Sequence, residues 1–193
     1  MNLANKLTLS RIGLTIIFML LLFLYWPYAK LCALVVFMLA SFTDYYDGKI
    51  AKRHNSITDF GKLMDPIADK ILVLAAFLAF VELKIIPAWM VMIIIFRELA
   101  ITGMRLMLLS RKAVIPASRA GKHKTVSQML SIFVILVFLS IRQLGESVFI
   151  FSWWNANADY NMHMAIYAMM LITIILTLSS GVLYIKNNIK LLR

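Results

Sequence analysis

The sequence predicts an all-α polytopic membrane protein, with six transmembrane helices and a short N-terminal interfacial segment. Three observations predict this fold class. Mostly apolar runs lie at about 9–29, 30–50, 63–83, 85–108, 125–142 and 164–186, each near the roughly 20 residues a bilayer core requires. Composition agrees: 62% of residues are hydrophobic and 15% charged, against about 25% charged in soluble domains. The third observation is where the charge falls. Numbering the runs in order leaves all 20 Lys and Arg except Lys30, Lys84 and Arg142 on one side. That bias marks a cytoplasmic face, and an even number of spans then puts both termini in the cytoplasm. A chain of 193 residues so organised is expected to be a single membrane domain, residues 1–193, without a second soluble domain.

Each element has its own sequence signal. "MNLANKLTLSR" mixes Leu3, Leu7 and Leu9 with Asn2, Asn5, Lys6 and Arg11, so it is expected to lie along the interface before the first span. That span is not read as a signal peptide, because no small-residue cleavage site follows it. The second run holds Cys32, the sole cysteine; no intramolecular disulfide can form, and the residue reads as a small buried hydrophobe. "RHNSITDFGK" is a polar cytoplasmic link to the third run. Pro87 marks the short outer turn between the third and fourth runs. "SRKAVIPASRAGKHKT" is the longest cytoplasmic loop, and residues 143–163 form an irregular outer loop containing "FIFSWWNANADYNMH", an aromatic belt. The last run closes the chain. The formal charge of +11 is expected to face anionic headgroups and phosphate-bearing ligands, not nucleic acid.

The acids break the apolar pattern. Of the nine Asp and Glu, Asp44, Asp47, Asp59, Asp65 and Asp69 fall in "DYYDGKIAKRHNSITDFGKLMDPIAD". Asp44 and Asp47 are three apart and Asp65 and Asp69 four apart, so each pair shares one helix face. Gly48 and Ala51 follow the first pair, and Gly61 precedes the second by one turn; small residues leave room for a ligand or a helix. Pro66 fits if the third helix begins nearby, since a first-turn proline loses no internal hydrogen bond. A short link makes the two helices antiparallel neighbours, with both pairs at similar depth. Facing carboxylates repel and are costly in a membrane without partners. Nearby Lys and Arg could neutralise them, or the acids could line an ion path. An all-oxygen set also suits a hard divalent ion such as Mg²⁺ or Mn²⁺, and two such ions would form a clamp for phosphoryl-type displacement. His54, His123 and His163 show no metal spacing, and no Ser–His–Asp arrangement is visible.

The acid pattern resembles that of the CDP-alcohol phosphotransferases, integral membrane enzymes of phospholipid synthesis. Their motif DxxDGxxAR, eight residues, GxxxDxxxD is met by Asp44, Asp47, Gly48 and Ala51, the spacer Arg53 to Phe60, and Gly61, Asp65 and Asp69. Lys52 is the one departure, standing where the family usually has arginine; it keeps a positive charge but not the bidentate fork. The resemblance covers more than this box. "NKLTLSR", with Asn5, Thr8 and Arg11, is similar to the amino-terminal segment of the family's bacterial phosphatidylglycerophosphate synthase branch. "FRELAITGMR" and "GKHKT" are similar to that branch's fourth-helix and fifth-helix segments. From residue 126 onward only hydropathy speaks.

The resemblance implies a metal-dependent transfer of a phosphatidyl group from CDP-diacylglycerol to an alcohol at the cytoplasmic face of a bacterial cell membrane, releasing CMP. It implies metal ligands at Asp44, Asp47, Asp65 and Asp69, holding two ions of Mg²⁺ or Mn²⁺, and a general base at Asp69. The CDP moiety would lie against Asp44, Asp47, Gly48, Ala51, Lys52, Gly61 and Asp65. An acceptor bearing its own phosphate needs a basic pocket, for which Arg105, Arg119, Lys122, Lys124 and Arg97 are candidates. Arg97 beside Glu98 also reads as a buried ion pair that fixes helix packing, and Arg111 and Lys112 as ordinary positive-inside charge. Glycerol 3-phosphate is the acceptor that the resemblance favours; inositol phosphate, serine or a second lipid are alternatives, and a cation carrier built on the Asp cluster is another. A homodimer is the expected assembly.

Overall fold

The computed structural model describes the backbone of residues 3–54, 59–110, 119–148 and 156–192, and the side-chain environments of 9–43, 70–104, 107, 124–145 and 157–187. All the secondary structure among the described residues is helical: α1 Leu3–Phe23, α2 Ala29–His54, α3 Asp59–Glu82, α4 Ala88–Ser110, α5 Arg119–Val148 and α6 Ala156–Leu192. Within these, Lys124–Gly145 and Asn157–Asn187 are long and apolar enough to cross a membrane, and Leu9–Phe23 and Ala29–Thr43 are shorter apolar stretches.

Three expectations need correction. α1 starts at Leu3, so the N-terminal segment is not a separate interfacial element; it is the opening of the first helix, as its alternating leucines permit. α3 starts at Asp59, which puts Pro66 two turns inside the helix and not in its first turn. Proline has no N–H to donate toward Lys62, so the helix forgoes one ladder bond there. The segment 143–163, expected to be an irregular outer loop, is helical in α5 through Val148 and in α6 from Ala156; residues 149–155, which include most of its aromatic residues, lie outside the described residues. The stretch 111–118, with Arg111, Lys112 and Pro116, also lies outside them, as do 55–58 of the polar link.

The chain divides into two compact units. The first comprises Met1–Ala79 and Ile132–Asp159. Here α1 packs on α2, with Phe18 and Phe37 ring centroids 5.8 Å apart and both side chains buried. Ala33 and Ala40 on α2 are fully buried, and their small side chains let helices approach closely, as membrane packing favours. The connection between α1 and α2 is fixed by polar groups. Lys30 Nζ donates to the Leu22 carbonyl, one of the carbonyls left open at the end of α1. Gln143 of α5 binds both strands of the connection: its Oε1 accepts from Lys30 N at 2.9 Å, and its Nε2 donates to Trp26 O at 2.8 Å.

The second unit comprises Phe80–Ser131 and Tyr160–Arg193. Its apolar core includes Phe80, Met90, Val91, Ile94, Ile166 and Met170, each at most 1% exposed. The turn expected around Pro87 is present. Lys84 N donates to Val81 O and Ile85 N to Phe80 O, both at 2.9 Å, with Lys84 at φ 57°. This is a Schellman termination of α3, with lysine in the left-handed position that glycine usually fills.

Candidate functional site

The spaced acids lie on two consecutive helices. Asp44, Asp47, Gly48, Ala51 and Lys52 belong to the C-terminal turns of α2, and Gly61, Asp65 and Asp69 to the first turns of α3. α2 runs past the apolar stretch that ends at Thr43 and carries the first acid pair as continuous helix. The three-residue and four-residue spacings therefore do fall on helical backbone, where they place each pair on one register face. The side chains of these eight residues lie outside the described ones. So do those of Asn5 and Thr8 on α1, Arg105 on α4, and Arg119, Lys122 and His123 on α5. Among the described residues no group of His, Cys, Asp and Glu could hold a metal ion. The carboxylate set fits a hard divalent cation by donor chemistry, since it offers oxygen alone.

Arg11, the third residue of the amino-terminal motif, is described: it is 4% exposed, on the buried side of α1, and its carbonyl accepts from Thr15 Oγ1 at 2.9 Å. An arginine buried near the start of an apolar stretch is a candidate functional position in a membrane protein.

The described part of the basic set forms a polar centre in the second unit. Glu98 of α4 is 5% exposed, and its Oε1 accepts from three donors. They are Arg97 Nη1 at 3.3 Å, Gln128 Nε2 at 3.3 Å, and Lys124 Nζ. Lys124 and Gln128 are one turn apart on α5 and are themselves buried. Arg97 extends its guanidinium to α6, where Nε donates to Thr177 O at 3.1 Å and Nη2 to Ser180 Oγ at 2.8 Å. Beneath it, Gly181 leaves the space that the arginine stem fills. A Cβ at that position would meet Arg97 Cγ and Nε at 3.2 Å. A second polar seam continues between α5 and α6, where Thr173 Oγ1 lies 2.7 Å from Ser127 Oγ and 2.9 Å from Ser131 Oγ.

Of the residues expected at the acceptor, the structure thus brings Arg97 and Lys124 together through Glu98. Arg97 does form an ion pair with Glu98, and the pair is part of a larger network. What the sequence did not reveal is the contribution of α6. Thr173, Thr177, Ser180 and Gly181 recur at helical spacing in an apolar run, a small polar stripe that would have marked the buried face of this helix.

Comparison with known proteins places these features. The chain matches the model of the CDP-alcohol phosphatidyltransferase family over residues 1–186. The chain belongs to the CDP-alcohol phosphatidyltransferase family. It is 42% identical over 148 residues to the "CDP-diacylglycerol--glycerol-3-phosphate 3-phosphatidyltransferase" of Bacillus subtilis, across 70% of this chain and 77% of that protein. A protein of Rickettsia bellii with the same name is 35% identical over 136 residues, 70% of this chain and 75% of its own. The similarity to the "Probable phosphatidylglycerophosphate synthase" of Mycobacterium tuberculosis is longer: 34% identity over 192 residues, 98% of this chain and 82% of that protein. The family match therefore extends into α6, as far as residue 186, where the sequence motifs are silent.

Proposed function

We propose that this chain transfers the phosphatidyl group of CDP-diacylglycerol to glycerol 3-phosphate, giving phosphatidylglycerol phosphate and CMP. The observation that carries the proposal is the complete spaced acid set on the adjoining ends of α2 and α3, in a chain whose relatives bear that activity in their names. The chain acts as a single membrane domain crossing the bilayer six times, with both termini and the reacting groups on the cytoplasmic side. The acyl chains of the donor then stay in the lipid while a water-soluble acceptor arrives from the basic face, where positive residues concentrate. A homodimer is the proposed assembly.

The reaction joins two charged partners, so repulsion is the main obstacle. Asp44, Asp47 and Asp65, with Asp69 as a further ligand, would hold two divalent ions, Mg²⁺ or Mn²⁺, which when bound supply the charge that neutralises the pyrophosphate. Gly48, Ala51 and Gly61 leave room for the cytidine nucleotide, and Lys52 adds a positive charge toward its phosphate. Asp69 takes the proton from the acceptor hydroxyl. The freed oxygen bonds to the lipid-bearing phosphorus, the bond from that phosphorus to the bridging oxygen breaks, and CMP leaves with the electron pair. Arg105, Arg119, Lys122, Lys124 and Arg97 hold the acceptor's own phosphate, and Asn5, Thr8 and Arg11 support the site from α1.

The test is a reconstituted assay of CMP release from CDP-diacylglycerol with a panel of alcohols. Release dependent on glycerol 3-phosphate supports the proposal. Release driven by inositol phosphate, serine or a lipid alcohol keeps the reaction class but removes the acceptor. Metal uptake by proteoliposomes without CMP formation would replace the enzyme with a carrier.

A further inference from the structure

Glu98 has no part in the reaction as written, yet it organises two residues that do. Its Oε1 gathers Arg97, Lys124 and Gln128, so one buried oxygen ties α4 to α5. Its backbone is also engaged, with Thr102 Oγ1 donating to Glu98 O at 2.7 Å. Arg97 is held at two further points on α6, by Thr177 O and Ser180 Oγ. Ser180 is itself anchored, its hydroxyl lying 3.0 Å from Thr177 O. Gly181 completes the seat, because a Cβ there would crowd the arginine stem, meeting Arg97 Cγ and Nε at 3.2 Å. Helix packing alone would be served by one such bond. Here two long cationic side chains, each with many rotamers in isolation, are held in one arrangement by partners on α4 and α6.

We infer that Glu98 is a positioning residue, and Gly181 its counterpart on α6, which together preset Arg97 and Lys124 for the phosphate of the acceptor. This rests on the assignment of those two cations to the acceptor site. The physical gain is preorganisation: a cation already held in place loses less freedom when its anion arrives. Glu98 also has an opposing effect, since its negative charge weakens the local attraction for an anion. The two effects predict opposite outcomes when the carboxylate is removed, which makes the inference testable.

Steady-state kinetics of the full chain in lipid–detergent micelles read it out, with CDP-diacylglycerol and the acceptor varied separately. The wild-type acceptor panel comes first. Glu98→Ala is expected to raise the acceptor KM about tenfold, and Glu98→Gln, which keeps an accepting oxygen, by less. The donor KM stays within about twofold in both. Gly181→Ala changes no charge and displaces only the Arg97 stem; it is expected to raise the acceptor KM about threefold, again without the donor. It also decides the matter should the Glu98 variants fail to fold. A fall in acceptor KM on removing the carboxylate shows a counter-charge role and overturns the inference. Equal changes in both KM values, or a loss of thermal stability with unchanged kinetics in Gly181→Ala, shows a structural role and overturns it too. If a different phosphate-bearing alcohol drives CMP release, the glycerol 3-phosphate assignment fails while the inference is read on that alcohol's KM. If only a phosphate-free alcohol does so, or none, the inference falls.

Discussion

Two polar islands interrupt this apolar chain, and they solve the cost of burying charge differently. The centre on α4, α5 and α6 carries its own counter-charge: Glu98 faces Arg97 and Lys124, and the Ser180 hydroxyl and Thr177 carbonyl of α6 accept further bonds from Arg97. The acid set on α2 and α3 is one sign repeated at helical spacing, so its neutralising charge has to come from other residues or from a bound ion. A centre that holds its own counter-charge can serve as fixed architecture. A set of like charges at fixed spacing is suited to receiving a cation. The contrast separates the part of the molecule expected to do chemistry from the part expected to hold a substrate in place.

The largest expected effect breaks the acid set from outside. Chelation of divalent ions should abolish CMP release, and added Mg²⁺ or Mn²⁺ should restore it, as followed by nucleotide chromatography. Full activity in excess chelator would remove the ion from the account. Next in size is Asp69→Asn, expected to lower kcat by about 10³-fold, the scale of a lost general base. Binding of CDP-diacylglycerol should be retained at least in part, and near-normal turnover would take Asp69 out of the mechanism.

The Glu98 centre should respond otherwise, through stability as well as affinity. Lys124→Ala leaves Glu98 without its ammonium partner inside the protein, where breaking a buried ion pair costs about 3 kcal/mol. A lowered thermal midpoint should therefore accompany a weaker acceptor, with the donor less affected. Equal weakening of both substrates would confine Lys124 to a structural role. The smallest effect lies away from both islands. Lys84 occupies the left-handed position at the end of α3, so Lys84→Gly should raise stability by about 1 kcal/mol and leave turnover unchanged, a control measurable by thermal unfolding.

The acid set was legible because it is local. Asp44, Asp47, Gly48 and Ala51 lie within two turns, and Gly61, Asp65 and Asp69 follow after one short link, so helical periodicity alone relates them. The Glu98 centre was legible only as the adjacent pair Arg97–Glu98. Its other members come from residues 124, 128, 177, 180 and 181, and no local rule joins a lysine on α5 to a glycine on α6. Helix number was also readable from hydropathy, but helix ends were not. Segments carrying polar residues, at 3–8 and 51–54, extend α1 and α2 beyond their apolar stretches, because helical backbone does not require apolar side chains. Pro66 misled because first-turn placement is the least costly site for proline, whereas α3 begins two turns before it.

The central claim is that this chain moves a phosphatidyl group onto glycerol 3-phosphate. The most direct measurement reconstitutes the purified chain with labelled CDP-diacylglycerol and follows both products as acceptors are varied. The account predicts CMP and phosphatidylglycerol phosphate in equal amounts, only when glycerol 3-phosphate is present. CMP release that is indifferent to glycerol 3-phosphate, or a different phospholipid product, would contradict it.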